Sequence, residues 1–457
     1  MTGFRIAPAT LSRAAALAVL ILIPAGPAAA DDDARPNPRD RRINEIIDAR
    51  VREWTEFYKI CHENPELSLH EKESAERVAR AFEAVGLKVT RHVGGFGVVG
   101  VMSNGEGPVV LVRGDMDALP VTEETGLPYA SKAVHTETDG SKVGVMHACG
   151  HDMHMTVLTA TARTLVEIKD HWSGTLLFIA QPAEEIGQGA RLMLEDGLYT
   201  RFPKPDYALA LHVSHELMTG TIGYTSGYAL ANVDSVDITI HGKGGHGAYP
   251  HQTVDPIVTA AQLVLALQTI VSRRLDPRDP AVVTIGSLHA GSKHNVIANT
   301  ATLQLTVRSY TDEVRRLLLD SIRQISVDTC KAAGCSTPPD VQILEDDFTP
   351  ATYNDPGLSA DCVRAFEEIL GRPNVIERRA SMGGEDFARY SRDAKDVKGF
   401  MYWLGVVEPA QFAAAAKPGA DPLPAIHSSR FKIDVEPTIR TGVKTMSTAV
   451  LEIVKKK

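Results

Sequence analysis

The sequence has no excess of basic residues. Its 48 Lys and Arg against 57 Asp and Glu leave a formal net charge of −9 at pH 7. Such a balance provides no basic stripe for nucleic acid or an anionic membrane surface. Long apolar runs are also missing, apart from Ala14 to Ile23, which is too short to span a bilayer comfortably. Arg5 and Arg13 flank the start of that run, and Ala28-Ala29-Ala30 closes the segment before Asp31-Asp32-Asp33. This is the pattern of a secretory signal peptide over 1–30, cleaved after Ala30, with an uncleaved anchor as the alternative. Cleavage takes two arginines from −9 and leaves a mature chain of −11. The expected location is periplasmic or secreted, with no membrane attachment afterwards. Cysteine is scarce: only Cys61, Cys149, Cys330, Cys335 and Cys362. An odd count leaves at least one cysteine outside any disulfide within the chain. Cys330 and Cys335 are near enough in sequence to bridge in an oxidising compartment, but spacing alone does not pair them. No internal repeat is visible.

What is present is an ordinary globular composition, 44% hydrophobic and 23% charged over 457 residues, enough for two domains and a sizeable core. Residues 31–42 are polar and Pro-containing, and read as a disordered leader. Ile43, Ile46, Ile47, Val51, Trp54 and Phe57 then recur at helical spacing, and a second helix is expected from Glu71 to Val85, with Gly86 as its stop. Short β-branched runs follow at Lys88 to Thr90, Val98 to Met102, Val109 to Val112, Thr175 to Ile179 and Tyr207 to Leu211, with a helical pattern over Met155 to Ile168. That alternation predicts an α/β sheet covered on both faces. From Val236 to Leu344 the order becomes β-α-β-β-α-β, a ferredoxin-like unit. The chain then returns to α/β character. The expected organisation is a first catalytic part over 43–230, an inserted domain over 231–347, and a second catalytic part over 348–457.

Chemistry concentrates in Met146-His147-Ala148-Cys149-Gly150-His151-Asp152-Met153-His154. Cys149 and His151 point apart on a regular helix, but at a loop entering a helix both can converge on one ion. A buried structural Cys beside surface histidines is the alternative. Three further polar groups follow predicted strands: Asp115 and Asp117, then Glu184 and Glu185, then His212. In an open α/β sheet such residues meet at the carboxyl ends of the strands. Cys, His and Glu together suit Zn²⁺, with Mn²⁺, Co²⁺ or Ni²⁺ also accepted, and the number of donors suits two ions. Adjacent Glu184 and Glu185 point different ways, so one can bind metal while the other acts as base. Two solvated surface acids are the alternative.

The motifs Arg113-Gly114-Asp115-Met116-Asp117-Ala118-Leu119-Pro120, Met146 to Asp152, Pro182-Ala183-Glu184-Glu185, Gly242 to His251, Met382-Gly383-Gly384-Glu385-Asp386-Phe387 and Ile426-His427-Ser428 occur in this order. In them the chain resembles the aminoacylase-type family of dinuclear metallopeptidases, specifically the amidohydrolase branch of hippurate hydrolases and indole-acetyl-amino-acid hydrolases. Cys149, where other branches usually carry His, favours that branch. The resemblance implies a dinuclear metallo-exopeptidase-like catalytic domain, with the ferredoxin-like insert as lid and dimerisation domain. It implies Cys149, His151, Glu185, His212 and His427 as metal ligands, Cys149 bridging, and Glu184 as general base. Asp117 would orient a ligand from behind, and the place of Asp115 stays open. His246 would reach the partner subunit's site to stabilise the oxyanion. Asn295 and Arg308 would receive the substrate carboxylate, and Gly383 and Gly384 would let the backbone approach it. Ala298 and Ser429 stand where the family commonly has Pro, and neither change removes a ligand or the base. The implied activity is hydrolysis of N-acyl amino acids by a homodimer, with metal-activated water. A dipeptidase, another aminoacylase or a catalytically silent binding protein are the alternatives.

Overall fold

The computed structural model describes residues 37–136 and 139–456, so the expected signal peptide lies outside the described residues. The first helix, Pro38–Glu63, begins inside the stretch expected to be a disordered leader. Asn37 caps it by accepting the Arg39 N–H at 3.1 Å, and Pro38 supplies a first turn that needs no donor. The second helix, Lys72–Ala84, has Val85 as its cap and Gly86 beyond it at φ +83°, as the sequence predicts.

The central sheet has eight strands. In spatial order they are those beginning at Lys88, Gly97, Gly174, Val109, Tyr207, Lys398, Ile222 and Val375. Val109–Asp115 runs parallel to both Gly174–Gln181 and Tyr207–Met218, and Tyr207–Met218 runs parallel to Lys398–Val407. These strands read as near-continuous apolar runs because both faces are buried. Alternate residues divide cleanly between them. Val110, Val112, Leu176, Phe178 and Ala180 enter the core beneath the long helices, while Leu111, Leu177 and Ile179 enter a smaller core on the opposite face. The long helices include Pro38–Glu63, His151–Glu167 and Val435–Val454. Tyr207–Met218 extends past the predicted Leu211, because pairing with Lys398–Val407 continues through Trp403↔His212 to Gly405↔Ser214. His212 therefore sits within a strand rather than after one.

The insert forms its own antiparallel sheet, in the order Ala281–Ala290, Thr300–Ser309, Asn232–His241 and Asp340–Ile343. Helices Pro256–Thr269 and Asp312–Ala332 complete a β-α-β-β-α-β unit. Along Asn232–His241 every second residue is buried, and Val236, Ile238 and Ile240 pack with Leu263, Leu267, Leu318 and Ile322 in a core separate from that of the main sheet. Pro256–Arg274 is long and apolar enough to cross a membrane by length and composition alone. Its Leu263, Leu267 and Ile270 lie in that core.

Candidate metal centre

Backbone geometry brings the donors together. Gly150 takes φ +81°, ends the loop carrying Cys149 and opens helix His151–Glu167. A Cβ at Gly150 would meet Val213 Cγ2 at 2.5 Å, so only glycine fits between this turn and the strand holding His212. Ala183, immediately before the two glutamates, has φ +53°, and His427 has φ +66°. Left-handed backbone at non-glycine residues costs of order 1–3 kcal/mol and persists where surroundings enforce it. At Ala183 the enforcement is visible: its N–H donates to Glu71 Oε1 at 2.8 Å. At His427 the N–H donates to the Ala148 carbonyl at 2.8 Å, tying it to the Cys149 loop.

The five expected ligands come together. Cys149 Sγ lies 3.4 Å from His212 Nε2, His427 Nε2 3.5 Å from Glu185 Oε2, and His151 Nε2 3.8 Å from Glu185 Oε1. Hydrogen bonds fix which imidazole nitrogen carries a lone pair. His212 Nδ1–H donates to the Val213 carbonyl at 2.8 Å, which can only accept, so Nε2 faces Cys149 unprotonated. Burial, then His154, pushes His212 down to about 3 and keeps it neutral. His151 Nδ1–H donates to Asp117 Oδ1 at 3.2 Å, so Nε2 is the nitrogen left to face an ion. Burial lowers its pKa, but Asp115 and Asp117 prevail and hold it well above the ordinary value, so a bound cation would take the place of the Nε2 proton. Asp117 also accepts from Ser68 Oγ at 2.7 Å and from the Glu185 N–H at 2.9 Å, so it orients both His151 and Glu185 from behind.

The donor set fits divalent ions on a separate observation. His151 Nε2 and Glu185 Oε1 are buried with no hydrogen-bond partner, although each is costly to leave so. Both point into the same cluster, where an ion would satisfy them together. Acid repulsion points the same way. Burial, with Glu385 and Glu185 close by, holds Glu184 well above the usual carboxylate range, a penalty that cations would relieve.

The neighbouring residues have other duties. His154 accepts the Val213 N–H on Nε2 at 2.9 Å and donates Nδ1–H to Asp115 at 2.6 Å, so neither nitrogen is free for metal. Asp115 also takes the Arg113 guanidinium at 2.6 Å, which settles it as an anchor. The same buried Arg113 pairs with Glu385 at 2.7 Å and Asp386 at 3.1 Å. Glu385 thus belongs to the wall of the site, a placement that its motif contained but that sequence reading left without a role.

A cavity of about 770 Å³ lies over the donors, lined by Cys149, Glu184, Glu185, His212 and His427 and by Arg308, Gly383 and Gly384. A Cβ on Gly384 would meet Val233 Cγ2 at 2.4 Å, which explains glycine there. His246 and Asn295 are exposed on the insert, where Gly247 N–H donates to the Asn295 carbonyl at 2.9 Å, and neither lines this cavity. Within one chain the structure does not bring them to the donors. All five cysteines are free thiols.

Known proteins resemble this chain in sequence and fold. The sequence pattern of peptidase family M20/M25/M40 matches residues 111–450. A hippurate hydrolase of Campylobacter jejuni is 36% identical over 364 residues, 79% of this chain and 90% of that protein. Thermostable carboxypeptidase 2 of Saccharolobus solfataricus is 36% identical over 360 residues, 78% of this chain and 86% of its own. The structure of the YXEP protein of Bacillus subtilis, a dinuclear metal-binding peptidase of the M20 family, superposes with a TM-score of 0.71 at 29% identity, covering 89% of this chain and 100% of that one. The chain belongs to peptidase family M20/M25/M40 and is a hydrolase acting on amide bonds.

Proposed function

We propose that the protein hydrolyses the amide bond of N-acyl amino acids, using two divalent ions held by Cys149, His151, Glu185, His212 and His427. The observation carrying this reading is the pair of buried, unpartnered donors, His151 Nε2 and Glu185 Oε1, aimed into one cluster. Zn²⁺ or Mn²⁺ is the expected metal, and the same donors accept Co²⁺ or Ni²⁺. Bound there, the ions would acidify water and polarise the acyl carbonyl. Glu184, on the cavity wall and not needed as a ligand, takes the proton from the attacking water and returns it to the leaving amine. Arg308, half-buried on the same wall, receives the substrate carboxylate.

His246 acts from a partner subunit in this reading, with Asn295 beside it. Two features support a homodimer: their exposure on the insert, and apolar surface left open elsewhere on the same insert at Ile257, Val258, Leu265 and Leu288. The expected location remains periplasmic or secreted.

The test is release of free amino acid from hippurate, indole-acetyl-amino acids, N-acetyl amino acids and dipeptides. Each is run on metal-stripped protein and again after restoring Zn²⁺ or Mn²⁺. Metal-dependent cleavage of acyl amino acids supports the proposal. Preference for dipeptides would move it to a dipeptidase, in keeping with the carboxypeptidase relative. A folded protein that binds metal and cleaves nothing would favour the silent binding protein.

A further inference from the structure

The cavity over the donors has a side chamber of about 240 Å³. His212, Gly383, Gly384 and Ile426 line both spaces, so the chamber opens beside the donor cluster. Arg308 lines the main cavity but not the chamber. Leu230, Met401 and Trp403 are all buried and form its apolar floor. Arg378 and Arg379 also line it.

The two arginines are not equivalent. Arg378 pairs with Glu216, donates to Ser214 Oγ at 2.9 Å, and lies 5.6 Å from the Trp403 ring centroid. Arg379 is exposed, and among the described residues no carboxylate pairs with it. The acids that line the chamber are already taken, Glu216 by Arg378 and Glu385 by Arg113. One positive charge on the lining therefore stays uncompensated, in a chamber that also presents Leu230, Met401 and Trp403.

We infer that this chamber receives the acyl half of the substrate and selects acyl chains that end in an anionic group. The inference rests on the amidohydrolase reading. With the amino-acid carboxylate on Arg308 and the amide at the donors, the acyl chain has this chamber to enter. Its methylenes cover Leu230, Met401 and Trp403. A terminal carboxylate then meets Arg379 in a charge-assisted hydrogen bond, which an uncharged chain of equal length cannot make. An arginine serving only solubility is the competing explanation.

The experiment compares kcat/KM for N-glutaryl and N-pentanoyl derivatives of one amino acid, the one most readily released from its N-acetyl form. The two acyl groups have the same carbon count and differ in the terminal charge. Wild-type protein is expected to favour the glutaryl substrate by roughly twofold to fivefold, the range for an ion pair with an exposed arginine. Arg379→Met, which keeps the stem and removes the charge, is expected to bring the ratio close to one. A wild-type preference for pentanoyl, or an unchanged ratio in Arg379→Met, overturns the inference. So does a loss shared equally by both substrates, which would put the amino-acid carboxylate on Arg379 instead. Cleavage of N-acetyl substrates without glutaryl preference sinks the chamber alone, whereas failure to cleave any of the three sinks the amidohydrolase reading with it.

Discussion

The carboxylate of Glu71 accepts the backbone N–H of Ala183 at 2.8 Å, across 112 residues of sequence. The same oxygen accepts the Leu69 N–H at 3.0 Å. Glu71 is fully buried, and burial, with Asp117 nearby, pushes it up to about 7. Because Ala183 holds a left-handed conformation just before Glu184, this contact sets where the proposed base begins. Glu71→Ala would orphan the Ala183 N–H at a cost of about 1–3 kcal/mol. It is expected to lower Tm and to reduce kcat more than KM changes. Glu71→Gln keeps an acceptor oxygen and is expected to recover much of the kcat. Steady-state kinetics beside thermal melts check this, and a Gln variant as impaired as Ala would refute the positioning role.

Glu184 and Cys149 separate catalysis from metal binding. Glu184→Gln keeps the shape but cannot take a proton, so turnover is expected to fall by about 10²-fold or more, with metal content unchanged. Cys149→Ser removes the sulfur from a cluster in which Sγ sits 3.4 Å from His212 Nε2. Metal per chain is expected to fall below that of the wild type. Elemental analysis after dialysis, read beside activity, distinguishes the two. Full metal occupancy in Cys149→Ser would remove it from the ligand set.

Behind the site, His62 lies buried between Asp152 at 2.6 Å and Glu123 at 3.1 Å. Burial pulls its pKa down, but the hydrogen bonds to Asp152 and Glu123 prevail and raise it to about 10 from an ordinary 6.5. The folded protein thus holds a proton that the unfolded chain releases above pH 6.5. This stabilisation is complete below pH 6.5 and is lost as pH rises through about 10. His62→Gln removes the positive charge between two buried carboxylates, each of which keeps a backbone N–H donor, and should cost about 3–5 kcal/mol near pH 6. Denaturant unfolding of both proteins between pH 6 and pH 10 should show the gap narrowing with pH. A constant gap would mean that His62 is not protonated in the folded state.

The parts of the molecule legible in the sequence are those whose signal is local. Gly86 and the period-two run Val236–Ile240 carry their structure within a few residues, and the strand-then-polar pattern pointed to the donors. Asn37-Pro38 was a local signal too, a cap followed by proline, and a closer reading of it would have started the first helix where the structure does. His427 was different. Nothing beside it marks a ligand, and only the resemblance assigned it. Glu71, His62 and Arg113 acquire their roles from partners 112, 90 and 272 residues away, where no periodicity reaches. His212 was misplaced at a strand end because its strand continues on pairing with Lys398–Val407 rather than on its own composition.

His246 makes the proposed dimer testable without a structure of it. Its Nδ1 accepts the Ala248 N–H at 3.0 Å, so Nε2 carries the hydrogen, on an exposed residue of the short strand Gly245–His246. If that imidazole stabilises the oxyanion in the partner's site, His246→Ala homodimers and Glu184→Gln homodimers are each inactive. Mixed dimers are not. The chain carrying His246→Ala keeps its own Glu184 and receives an intact His246 from its partner, so one of its two sites is complete. Random exchange makes half the dimers mixed, and the mixture is expected to recover about a quarter of wild-type activity. Co-refolding the two variants and measuring turnover against each alone performs the test. No recovery, with exchange confirmed by tags on the two chains, would place His246 outside the partner's site.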